Sequence, residues 1–160
     1  MIVVGIDPGK TGGIAFLEKG KNCEGGLYKM PINVSKVDVG ELQTIFLEHL
    51  STGEEHQVYI EKQQVRARQR GGALIGENYG RIVAVLELLE LTTIEVIPRV
   101  WKSTLFPDQV TAGNKEISIQ KCINEGYDLP TLKPTGKKLH DGIADAICIA
   151  LYGWKKLETS

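Results

Sequence analysis

Four carboxylates stand where strands and a helix would deliver them to one place. Asp7 follows the apolar, β-branched run Ile2-Val3-Val4-Gly5-Ile6 and opens an Asp-Pro-Gly turn, so it sits where a buried strand stops. Glu61 ends a second strand-like run, Gln57-Val58-Tyr59-Ile60. Asp141 and Asp145 lie four residues apart in a C-terminal helical stretch and project from one face of it. Ligands of α/β sheets commonly bind at strand ends. If the two strands are parallel neighbours and the last helix packs beside the first, all four acids converge. Unpaired carboxylates so placed repel one another, and bound cations relieve that; oxygen donors suit Mg²⁺ or Mn²⁺. Two such ions about 4 Å apart could activate a water and stabilise the leaving oxygen of a phosphodiester.

Each acid also has a plainer reading. An Asp before Pro-Gly is an ordinary turn residue. Glu61 alone is a solvated strand end, and Asp141 alone a charge complementing a helix N-terminus. Asp145 differs, because it precedes Ala146-Ile147-Cys148-Ile149-Ala150-Leu151, a stretch apolar enough to be buried all round. A carboxylate entering such a helix needs a partner.

The elements that must hold these residues follow from the pattern. Strands are expected at Ile2–Ile6, Gly13–Leu17, Gly26–Met30, Gln57–Glu61 and Thr93–Ile97, the first two pairing as a hairpin. Helices are expected over the Leu42–Leu50 stretch with Asp38 as a possible N-cap, over Tyr79–Leu91, Trp101–Phe106 and Asn114–Asn124, and over His140–Lys156. Lys62–Arg70 and Asp128–Lys138 read as loops. The layout is α/β, a five-stranded mixed sheet flanked by helices, in one domain over 1–160.

Composition is ordinary for a globular protein of 160 residues, 42% hydrophobic and 24% charged, and excludes a coiled coil, a collagen-like repeat and a disordered tail. No apolar run approaches the roughly 20 residues of a membrane helix, so no membrane partner is expected. The N-terminal residues carry no basic leader. Nineteen Lys and Arg against 20 Asp and Glu give a net charge of −1, which does not advertise nucleic acid. Two divalent cations would reverse that sign. Cys23, Cys122 and Cys148 are odd in number and widely spaced, which reads as reduced thiols in an intracellular protein.

Three pieces together resemble a known family: Gly5-Ile6-Asp7-Pro8-Gly9 with Thr11-Gly12-Gly13, then Tyr59-Ile60-Glu61-Lys62-Gln63, then Asp141-Gly142-Ile143-Ala144-Asp145-Ala146. In this order and at these separations they are similar to the RuvC Holliday junction resolvases of the RNase H-like superfamily. The likeness runs from residue 1 to about 153, and the terse loops look like those of a phage-type member. It implies an RNase H-like fold and a cytoplasmic homodimer (host cytoplasm, if phage-encoded) that places two symmetric nicks in a four-way DNA junction with two Mg²⁺ per site, Mn²⁺ substituting. Asp7, Glu61, Asp141 and Asp145 take the positions of its catalytic, metal-binding acids. One departure is plain. The family spaces its last two acids by three, whereas here position 142 is Gly and the acid lies one residue earlier. His140 is the alternative ligand there. A partner helicase follows by analogy alone.

The expected DNA surface begins beside Glu61. Lys62, Arg66, Arg68, Arg70 and Arg81 are five basic residues with one acid, Glu77, among them. Basic side chains there would contact phosphates near the cut, although such runs are often simply solvated. The family carries an aromatic wedge near this loop, and no aromatic stands between Tyr59 and Tyr79, which leaves Gln63, Gln64 or Val65 for that place. Lys102 and Lys115 match family positions where bases approach the scissile phosphate and could stabilise developing charge. Lys133, Lys137 and Lys138 add further phosphate contacts. The Tyr79–Leu91 stretch is more apolar than one buried face needs, which offers part of it to a dimer interface. Two other readings stand beside the nuclease. A junction-binding protein with weak or no cleavage keeps the fold and loses the chemistry. An actin-like phosphotransferase is suggested by Asp7-Pro8-Gly9-Lys10-Thr11-Gly12, in a chain too short for that two-lobed architecture.

Overall fold

The central strands are apolar on both faces, and the pleat decides which residue meets which core. The computed structural model describes residues 1–18, 26–50, 53–65, 69–107 and 116–159. In β1 (Ile2–Asp7), Val3, Gly5 and Asp7 point to one side and Ile2, Val4 and Ile6 to the other. The parallel neighbour β6 (His56–Glu61) is in register with it, Gly5 opposite Tyr59 and Ile6 opposite Ile60. Asp7 and Glu61 are the next residues on each strand, so both leave the sheet at its C-terminal edge and on the same face. β2 (Gly13–Glu18) folds back antiparallel to β1, with Asp7 opposite Gly13. β3 (Leu27–Lys29) and β7 (Thr92–Val96) complete a five-stranded mixed sheet in the order β3-β2-β1-β6-β7.

Two apolar cores cover this sheet. One face carries Val4, Ile6, Val58 and Ile60 against α1 (Val39–Leu50) and α2 (Gly72–Leu88). The other carries Val3, Ala15 and Tyr59 against α3 (Pro98–Leu105), α4 (Glu116–Asn124) and α5 (Asp141–Glu158). The five expected strands and the mixed sheet are present. Asp38 caps α1 as expected, its Oδ1 accepting from the N–H groups of Gly40 and Glu41.

Two expectations need correction. Helix α2 starts seven residues before Tyr79 and stops at Leu88 rather than Leu91. Gly71, in the left-handed region at φ 75°, turns the chain into the helix, where its pairing with Gly72 reads in sequence as a loop. At the far end Glu90 takes φ 55° and the Leu91 N–H reaches the Leu86 carbonyl, a Schellman closure that stops the helix and tucks Leu91 against the core. The segment after β3 forms a small hairpin, β4 (Ile32–Asn33) and β5 (Lys36–Val37), where no element was expected. Its backbone is tied to α2 by buried Asn78, which accepts from Val37 N–H at 2.9 Å and donates to the Ser35 carbonyl at 3.0 Å. No helix of the described residues is long and apolar enough to cross a membrane.

Candidate active site

Helix α5 lies on β1 at backbone distance, and glycine is what lets it. A Cβ at Gly5 would stand 2.0 Å from the Ala146 carbonyl oxygen and 2.5 Å from Ala150 N. A Cβ at Gly142 would stand 2.0 Å from the Thr11 carbonyl, and Gly12 and Gly142 form a bridge of their own. The stretch from Ala146 to Ala150 is wholly buried, as its sequence requires. Because α5 runs back along β1 from the strand's C-terminal end, its first turns deliver Asp141 and Asp145 to the edge that holds Asp7 and Glu61.

The electrostatics record this meeting. Burial above all pushes the Asp7 carboxyl up to about 7; the Gly9 N–H donated to its Oδ1 at 3.0 Å pulls it back, and the charges of Asp145, Glu61 and Asp141 add to the rise. Burial likewise raises Glu61, against the Trp101 N–H, with Asp145 pushing the same way and Lys102 opposing. Trp101 is fully buried in α3 and donates its indole N–H to Glu61 Oε2 at 2.8 Å. The Lys102 ammonium rests 4.9 Å from the centre of the same ring. Sequence reasoning placed Lys102 near the site and passed over Trp101. Its signal was only its position beside that lysine, because the bond spans 40 positions.

His140 is committed elsewhere. Its ring is 2% exposed and caps α5, Nδ1 accepting from the Ile143 N–H at 3.1 Å. Burial lowers its pKa, with Lys29 adding to the effect, and the neutral ring is the form that accepts. Asp141 borders a hollow of about 370 Å³ that Lys138, Glu116 and Gln120 also line.

The donor set is four carboxylates and therefore all oxygen. Among the described residues no three acid, cysteine or imidazole side chains are arranged as a ready cage for an ion. An all-oxygen donor set suits a hard cation such as Mg²⁺, which keeps several waters and takes one or two carboxylates along with substrate phosphate. Asp7, whose charge is disfavoured by all three neighbours, is a residue that a cation would relieve.

The expected DNA residues are scattered. Lys62 follows Glu61 but pairs with Glu95 on β7 at 2.9 Å, and Glu95 also accepts from the Tyr79 hydroxyl. Gln63 is half-buried and Arg70 exposed. Arg81 lies on α2, bonded to Glu77 at 3.2 Å and reaching the Val37 carbonyl, so it braces the hairpin rather than the loop after Glu61. Lys137 and Lys138 are exposed just before α5. Arg66, Arg68 and Lys115 fall outside the described residues, as do Cys23 and the Asn114 cap.

No family model and no curated protein sequence matches this chain. Solved structures do. The chain is similar to the Thermus thermophilus RuvC structure at 24% identity and TM-score 0.64, covering 99% of this chain and 96% of that one. It is similar also to T. thermophilus RuvC in complex with Holliday junction substrate, at 24% identity and TM-score 0.67, covering 100% and 96%. The chain has the RuvC fold. The RuvC fold is RNase H-like, as the three sequence pieces implied.

Proposed function

We propose that this protein is a Mg²⁺-dependent, structure-selective endodeoxyribonuclease that nicks four-way DNA junctions and other branched DNA. The observation that carries this reading is the meeting of Asp7, Glu61, Asp141 and Asp145 at one sheet edge of a RuvC fold, each of the other three charges disfavouring that of Asp7. The junction bound by the similar T. thermophilus protein supports the substrate class.

In this reading Asp7, Glu61, Asp145 and Asp141, not the capping His140, are the residues that would hold the cations. The cations, when bound, supply positive charge for in-line attack by water on the scissile phosphorus. Lys102, held beside Glu61, offsets charge developing on the phosphate oxygens. The buried floor of β1 and α5 keeps bulk water off one side of the acids, which strengthens each charge interaction. Lys62, Arg70, Lys137 and Lys138, with Arg66, Arg68 and Lys115, contact backbone phosphates. The products are a 5′-phosphate and a 3′-hydroxyl. A homodimer gives paired nicks, and the outward side of α2, with exposed Ala73, Gly76, Gly80 and Leu88, is the face offered to the second copy.

A second reading has one observation in its favour: no three acids stand as a ready cage among the described residues. It is a junction-binding protein that cuts weakly or not at all. A labelled four-way junction separates the two. Symmetric nicks in Mg²⁺ that disappear with EDTA, and fall at least about a thousandfold in Asp7→Asn, are expected. Tight binding without nicks in Mg²⁺ and Mn²⁺ leaves the binding protein.

A further inference from the structure

Glu61 ends a strand on a side chain with three rotatable bonds, yet one of its oxygens is fixed. The partner is the indole N–H of Trp101, at 2.8 Å from Oε2. That indole has no freedom to follow a wandering carboxylate. It is 0% exposed, packs edge-on against Phe106 at 6.4 Å between ring centres, and stands in a short helix opened by Pro98. A buried N–H that lost its acceptor would bear the full cost of desolvation, so each group holds the other. With Oε2 engaged, the carboxylate's rotation is restricted while its charge stays within reach of Asp7 and Asp145. The Lys102 ammonium lies over the face of the same indole, so one ring sets both an acid and a base of the site.

We infer that Trp101 is the positioning residue for Glu61: it orients that carboxylate toward a divalent cation and holds Lys102 beside it. This rests on the nuclease reading for its role in cutting, but not for its effect on the cation. Partners behind a ligand typically change metal affinity or activity by about 10- to 100-fold when removed. Trp101→Phe keeps the aromatic bulk and removes the N–H. It is expected to bind a four-way junction in EDTA as tightly as the wild type. It is expected to need about tenfold more Mg²⁺ for half-maximal cutting, with cutting largely restored at saturating Mg²⁺. By calorimetry without DNA, it is expected to bind Mn²⁺ about tenfold more weakly.

The chain has two tryptophans, so Trp154→Phe leaves Trp101 as its single indole emitter. In that variant, without DNA, Mn²⁺ or Mg²⁺ is expected to shift the emission in a saturable way, and Glu61→Gln added to it is expected to abolish the shift. This measurement stands even if Trp101→Phe does not fold. Unchanged Mn²⁺ affinity in Trp101→Phe, or an emission that ignores the ions, overturns the inference. A wild type that binds Mn²⁺ with an emission change but never cuts overturns the nuclease reading and leaves the inference standing.

Discussion

The two faces of the sheet are packed by different means. On the face of α1 and α2, large side chains fill the space: Phe46, Leu42, Ile82 and Leu86 are fully buried there, and Phe16 meets Phe46 edge-on at 5.3 Å. On the face of α5, contact at the centre is between backbones, with Gly5 under Ala146 and Gly12 against Gly142. Interdigitated side chains give stability and some room to repack. Backbone contact gives little of that room and fixes distances instead. The acids belong to the second face, where two come from the sheet and two from the helix resting on it.

This contrast can be broken most directly by one substitution on each face. Gly5→Ala drives a methyl into the Ala146 carbonyl, so α5 must lift. We expect it to cost about 3 kcal/mol of stability and to slow cleavage per folded molecule by about a hundredfold, since displacements near 1 Å can cost that much. Leu86→Ala should destabilise by a similar amount, about 3 kcal/mol, and leave cleavage per folded molecule unchanged. Urea melts paired with single-turnover cutting decide it; equal loss of activity in both would erase the distinction.

A second test separates stability from chemistry on the α5 face itself. Asp7 is pushed from 3.8 to about 7 in the folded chain, so the native state binds its proton more tightly than the unfolded chain does. Its contribution is fully present below about pH 4 and is lost as pH rises through about 7. In EDTA, Asp7→Asn should therefore be more stable than the wild type at pH 8. Its advantage should shrink by about 3 kcal/mol on going to pH 5. An advantage that does not depend on pH would show that Asp7 ionises there as it does in solvent.

The smallest effect lies at the rim. Lys62 and Glu95 form an exposed pair, and Lys62→Ala should change stability by less than about 1 kcal/mol. Junction affinity should fall alike on every junction sequence, and the dependence of log affinity on log salt should flatten by about one unit. An unchanged slope would assign Lys62 to Glu95 alone.

The legible part of this fold was its apolar runs. Ile2–Ile6, Gln57–Glu61 and the apolar stretch after Asp145 announce their burial, and their end residues mark the acids. The parallel pairing of β1 with β6 was conditional in the sequence and is settled by register. The rest depended on contacts between distant positions. Gly71 and Gly76 disguise the first turns of α2, where the hairpin's hold on Asn78 gives the helix something to pack against. Trp101 reads as one more aromatic until the fold brings it to Glu61, and the capping role of His140 appears only when its ring turns back onto the Ile143 N–H.

The contact of α5 with β1 also sets when the molecule becomes competent during its synthesis. The first acid lies at position 7 and the last at 145, so the ribosome releases half of the site long before the other half exists. Strands β1, β2 and β6 can begin to pair while α5 is still inside the exit tunnel, and pairing across such separations is slow. A nascent or prematurely ended chain then carries Asp7 and Glu61 with an empty groove where the helix belongs. Under the proposed chemistry, cutting begins only once α5 has been made and has packed on β1.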